Sequence, residues 1–263
     1  MTMVTTDPVA GVQAKLRRAR SHLVELERGA AAYLDDTPFG VYTVADPTTG
    51  PVSYRVHVRA KPPEDLGLML GDALHNARSA LDHVACRLVE HAGGSITQGT
   101  AYPIASDAAR FAVGVKAKLR GASAAAIDAV RATAAHPGGD DQLWALHQLD
   151  IGDKHKLLIP VGVFLGTVNL HYGIQGTELP PIGLVPDEIT PIEEGVEVLH
   201  IAEQPRFAET DGHTREFSFN FDLALDSADL LGPRPLHAVP AATALIDHVE
   251  TVALDLMKLI TDK

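Results

Sequence analysis

The residues of this chain that can do chemistry concentrate in the run GDALHNARSALDHVACRLVEH, residues 71–91. At about 100° per residue, Arg78, Asp82, His75, Ser79, Asp72, His83 and Asn76 fall on one arc of a helix, in that angular order. A face that only meets solvent favours long, hydrated Lys and Glu. This one carries short, directional hydrogen-bonding groups and no lysine, which suits a semi-buried polar network or an active site. An imidazole gives and takes protons near neutral pH, and a guanidinium fits anionic oxygens in a bidentate fork. Arg78, His83, His75 and Asp82 are therefore the candidate catalytic residues. The same groups also read as a polar seam between helices, with Arg78–Asp82 and Asp72–His75 pairing one turn apart.

A second cluster lies in LHQLDIGDKHKLL, where His147 and Asp150 are i, i+3 and Asp153, Lys154 and His155 follow. Gly152 reads as a helix end. Lys154, His155 and Lys156 then read as cations at the negative end of the helix dipole. Bundle helices that bring the two clusters together would combine histidines with carboxylates.

The elements needed to hold these groups can be read from periodicity and turn chemistry. Residues 11–34 read as a helix striped by Val12, Leu16, Leu23, Leu26 and Ala30. Two β-rich runs, 41–45 and 52–60, flank DPTTGP and predict a hairpin. Pro62 and Pro63 then lead into Glu64 and Asp65 at the start of a long helix that carries the polar face over 66–92 and ends near Gly93–Gly94. Its opposite side, Leu66, Leu70, Ala73, Leu74, Ala77, Leu81, Val84 and Leu88, forms a core stripe about 100° wide. One or two Ala-rich helices occupy 106–134, HPGGDD breaks the chain, and Asp140 or Asp141 caps a further helix.

After Lys156 the pattern turns to strands. LLIPVGVFLG and TVNLHYGIQ read as two strands joined tightly at Gly166–Thr167, followed by EEGVEVLHIA and REFSFNFDLAL. In the last run Phe217, Phe219, Phe221 and Leu223 alternate with polar residues, as in a half-buried strand. An amphipathic helix over 240–261, with Leu245, Val249, Val252, Leu256 and Leu259, closes the chain. The expected class is α+β: an N-terminal helical bundle with a β-hairpin, then a mostly antiparallel β part and a C-terminal amphipathic helix. The helical region spans 1–156 and the β region 157–263, together one cooperative domain.

Composition narrows the function classes. The 263 residues are 46% hydrophobic, enough for a sizeable core, and no run approaches the roughly 18–20 apolar residues of a membrane span. No basic and apolar leader precedes the fold, and the single cysteine, Cys86, suits a reducing cytoplasm. Residues 1–175 hold 17 basic and 17 acidic groups, while 176–263 hold 5 basic and 17 acidic, the source of the net −12. That balance speaks against broad nucleic-acid coating. Small basic groups remain at Lys15, Arg17, Arg18 and Arg20 and at Lys116, Lys118 and Arg120, where they also read as solvated helix faces.

The run HNARSALDH together with the downstream DKHKLL resembles a pattern in uncharacterised bacterial proteins of similar length, HN-x-RS-x-LDH, over residues 65–160. Arg78 and His83 also form an R-x4-H spacing, which resembles the signature of the HEPN superfamily of helical ribonucleases and nucleotide-binding domains. Ser79 stands where many members carry Asn, Asp or His after the arginine. The resemblance implies a helical bundle whose motif is completed in a homodimer, metal-independent cleavage or binding of RNA with no cofactor, His83 in proton transfer and Arg78 on the phosphate. A helix turns about 140° over those five residues, so a dimer seam would help position the pair.

Two other classes stand beside it. Asp72-x-x-His75 resembles half of the carboxylate-x-x-His arrangement of di-metal helical bundles. With His147, Asp150, Asp153 and His155 it would hold Fe, Mn or Zn. A non-catalytic interaction protein would instead offer the acidic β part to a basic partner.

Overall fold

The computed structural model describes residues 9–45, 52–156, 161–174, 177–178, 180–184, 191–201, 213–225 and 236–261. It is an α+β protein whose elements run α1 (Ala10–Asp35), β1 (Phe39–Ala45), β2 (Val52–Val58), α2 (Glu64–His91), α3 (Ala108–Lys118), α4 (Ala124–Ala132), α5 (Asp141–Lys156), β3 (Val161–Ile174), β4 (Thr177–Glu178), β5 (Ile182–Leu184), β6 (Glu197–Ile201), β7 (His213–Leu225), β8 (Leu236–His237) and α6 (Ala238–Thr261). The described strands pair antiparallel throughout.

The chain forms two compact units, and they do not follow the linear division at 156. One unit contains 1–27, 64–159 and 239–263, and the other 28–63 and 160–238. The hairpin goes with the later strands because β2 pairs with β6, Val52 opposite Ile201 and Tyr54 opposite Leu199. The closing helix goes with the helical unit, tied there through polar contacts of His248, Asp247 and Glu250.

In the helical unit α2 is the central element. Every residue of its expected apolar stripe is at most 2% exposed, and Ala80, Ala85, Val89 and Arg78 are buried as well. The buried surface is thus wider than one stripe, because small residues let neighbouring chain approach the flanks closely. Helices α3 and α4 are two separate helices, started by caps in which Asp107 accepts from the Arg110 amide and Ser123 from the Ala126 amide. Asp140 caps α5 by accepting from the Leu143 amide at 2.9 Å. That helix does not end at Gly152 but continues to Lys156; an isolated glycine costs a helix only about 1 kcal/mol, too little to stop it. On α6 the buried row is Ala242, Leu245, Ile246, Val249, Ala253, Leu256, Met257 and Ile260, while Leu259 stays 41% exposed.

The β unit holds a three-stranded sheet, β1-β2-β6, and a five-stranded one, β4-β3-β7-β8 with β5 also on β3. The expected turn at Gly166–Thr167 is instead a bulge within one long strand. Leu165 pairs with Phe221 and Thr167 with Asn220, so Gly166 is the extra residue. A Cβ at Gly166 would lie 3.4 Å from the Asn220 carbonyl oxygen. Aromatic contacts Phe39–Phe221 and Tyr54–Phe219, with centroids 4.7 and 5.6 Å apart, fill this unit. The DPTTGP turn lies outside the described residues.

Candidate functional site

The two polar clusters meet. His75, on α2, places Nδ1 2.8 Å from Oδ1 of Asp150, on α5. Asp150 is carried inward by the buried Leu143, Leu146 and Leu149 of its own helix, and its side chain is only 3% exposed. The His75 side chain remains 44% exposed. A carboxylate buried against Nδ1 selects the tautomer with the proton on that nitrogen, so Nε2 is left as the acceptor. One turn further along α2, Ser79 Oγ lies 3.5 Å from that Nε2.

Arg78 and Asp82 also pair, at 2.6 Å, but toward the interior. The Arg78 side chain is 7% exposed and its second amino group donates to the Tyr102 carbonyl at 3.1 Å. Asp82 accepts from the Tyr102 amide at 2.8 Å. One ion pair therefore satisfies both backbone groups of a buried residue in the loop after α2, which needs partners once out of water. The fully buried Tyr102 ring lies beneath, its hydroxyl donating to Thr133 at 2.8 Å, and burial drives its phenol pKa strongly upward. Arg78 thus has a clamp to hold, and Lys118 nearby has its pKa lowered, first by burial and then by the Arg78 charge.

His83 lies about 12 Å along the helix from His75. It sits against the first turn of α1, where a Cβ on Gly11 would come 3.2 Å from its Nδ1. Its pKa is lowered by burial and then by Lys15 and Arg87, with Asp82 opposing. Lys15 reaches the same face and donates to Asn76 Oδ1 at 3.4 Å. Cys86 is half-buried, and its thiol pKa is raised by burial and by Asp82 and Glu90.

Of the six candidate metal ligands, His75 and Asp150 come together. Asp72 is exposed and its backbone carbonyl accepts from Asn76. His147 is half-buried, its ring centroid 6.2 Å from that of Trp144. The side chains of Asp153 and His155 lie outside the described residues. Among the described residues no three His, Cys, Asp or Glu side chains gather as a metal would require.

Two participants escaped the sequence reading. His248 on α6 puts Nε2 2.7 Å from Oδ2 of Asp140, whose other oxygen caps α5. Tyr102 is the second; its only signal was its place in a short apolar run outside any periodic element. In the β unit a cleft of about 650 Å³ is lined by Phe39, Val58, Arg59, Val163, Ile192 and Glu194, and contains none of the predicted site residues. Glu194 there is held by His57 and by the Val58 amide, which lower its pKa.

No protein-family model, no curated protein and no solved structure matches this chain. The class that fold and site define is an α+β protein with a histidine–carboxylate pair on the polar face of a central helix.

Proposed function

We propose that the chain is a HEPN-like, metal-independent RNA-cleaving protein whose proton-transfer group is His75. The observation that carries this reading is the buried Asp150 fixed on Nδ1 of a ring whose side chain stays 44% exposed. Cleavage of RNA by its own 2′-hydroxyl requires that oxygen to lose a proton and the departing 5′-oxygen to gain one. An oriented imidazole can supply both transfers. Asp150 holds the ring in one tautomer and stabilises the imidazolium formed midway, which is the role of the carboxylate in a histidine-based triad.

The resemblance gave Arg78 the phosphate. With Arg78 engaged by Asp82 and Tyr102, its part is to position α2 against the following loop. Lys15, beside Asn76, brings the positive charge that a phosphodiester needs on this face. His83, further along the same face, has its pKa lowered by burial first, which favours its uncharged form. A homodimer would bring a second copy of the face to the same RNA, in the reducing cytoplasm that a single cysteine suits.

The test is cleavage of a mixed RNA pool in excess EDTA by wild type and a folded His75→Gln variant. The expected result is product with 2′,3′-cyclic phosphate ends from wild type and a loss of about 10²–10⁴ in rate for the variant. Equal rates, or no cleavage by wild type, refute the assignment.

A further inference from the structure

We infer that Ser79 is an activated nucleophile, so that the polar face of α2 also transfers acyl groups from carboxylic esters. The inference goes beyond RNA cleavage and needs only the geometry around His75. Three side chains stand in series: Asp150 Oδ1 is 2.8 Å from His75 Nδ1, and His75 Nε2 is 3.5 Å from Ser79 Oγ. A nucleophile beside a base that a third group orients is the arrangement that activates serine, and it is recognised by geometry rather than by sequence order. The 3.5 Å separation is longer than a made hydrogen bond. Serine–histidine contacts are commonly looser before substrate binds, and rotation about the Ser79 Cα–Cβ bond changes this one.

The neighbours fit this role. Ser79 and His75 are one turn apart on a helix packed along most of its length, so their backbones are fixed relative to each other. The Ser79 side chain is half-buried and the His75 side chain half-open, which leaves a substrate a way in. Asn76 and Ser79 are i, i+3, so Lys15, donating to Asn76, brings an ammonium to the same side of the helix, where it can stabilise a developing oxyanion.

The reaction balances without any further reagent but water. Ser79 Oγ bonds to the ester carbonyl carbon while its proton passes to His75 Nε2. The tetrahedral intermediate expels the alcohol, which takes that proton. Water then attacks the acyl-serine, giving its proton to His75 Nε2. The acid departs as Ser79 Oγ recovers the proton.

The test is labelling of the full chain with a biotinylated alkyl fluorophosphonate, read by intact mass and by peptide mapping, with folding checked by thermal melting. The expected result is one adduct, on Ser79. It should be abolished by Ser79→Ala, and slowed by about 10²–10⁴ in Asp150→Asn and His75→Gln. Lys15→Met should slow it roughly ten- to hundredfold. No adduct on Ser79 in folded wild type, or an adduct that forms equally fast in folded His75→Gln, overturns the inference. Run beside the RNA assay, the two readings separate: an adduct without RNA cleavage removes only the nuclease, and RNA cleavage without an adduct removes only the acyl transfer.

Discussion

Both units of the molecule pair histidines with carboxylates, and two pairs of the helical unit bury a carboxylate that His22–Glu25 and the pairs of the β unit leave exposed. In the helical unit His75–Asp150 and His248–Asp140 have carboxylates only 3% and 14% exposed. In the β unit His57–Glu194 and His237–Asp222 have both partners between 44% and 61% exposed. The same two residue types at similar distances therefore do different things. An exposed pair exchanges one set of water contacts for another and is screened, so it adds little. A buried carboxylate depends on its partner and fixes that partner's orientation in return. Depth, more than the presence of a pair, separates a site that can do chemistry from surface decoration.

The comparison can be broken by substitution. The largest stability effect belongs to an enclosed charge with two partners: Arg78→Met should destabilise the fold by about 2–3 kcal/mol, because it strips Asp82 and the Tyr102 carbonyl of their donor. Chemical denaturation measures it, and a loss below about 0.5 kcal/mol would mean the clamp is dispensable. Asp140→Ala removes both the α5 cap and the His248 contact, and should cost roughly 1–2 kcal/mol. His237→Gln in the β unit should stay within about 0.5 kcal/mol of wild type. A larger cost there would erase the contrast.

The smallest effect is in pH. The folded chain lowers the His83 pKa below its ordinary value of about 6.5. The unfolded chain therefore binds more protons as pH falls through that value. Stability from this group is complete above about pH 6.5 and is lost as pH falls toward the lowered folded pKa. His83→Asn should flatten that part of the melting-temperature profile while leaving the rest in place. An unchanged slope between pH 7 and 5 would show that His83 is not the group responsible.

The sequence was most informative where one element determined the answer. The apolar stripe of α2, the helix over 11–34, a cap at Asp140 or Asp141 and the antiparallel strands follow from local periodicity and turn chemistry, and each is present, with Asp140 as the cap. Pairings across long separations were not readable, since no spacing rule connects His75 to Asp150 or Asp140 to His248. Helical angle alone placed Arg78 on the polar arc, yet the loop carrying Tyr102 covers it, and that loop has no period of its own. Gly166 resembled a turn because a bulge and a turn both favour glycine there; the continuous ladder to β7 distinguishes them. Leu259 missed the buried row of α6 because the wider row of Ala242, Ile246, Ala253, Met257 and Ile260 faces inward instead.

On the proposed reading, the buried carboxylate makes His75 a working acid–base group. The most direct test is the RNA-cleavage rate in excess EDTA of wild type against an Asp150→Asn variant shown to be folded, since the amide keeps the shape and removes the charge. The expected result is cleavage by wild type and a rate lower by about 10²–10⁴ in the variant. Equal rates in the two proteins would contradict it and leave the His75–Asp150 pair as a link between helices.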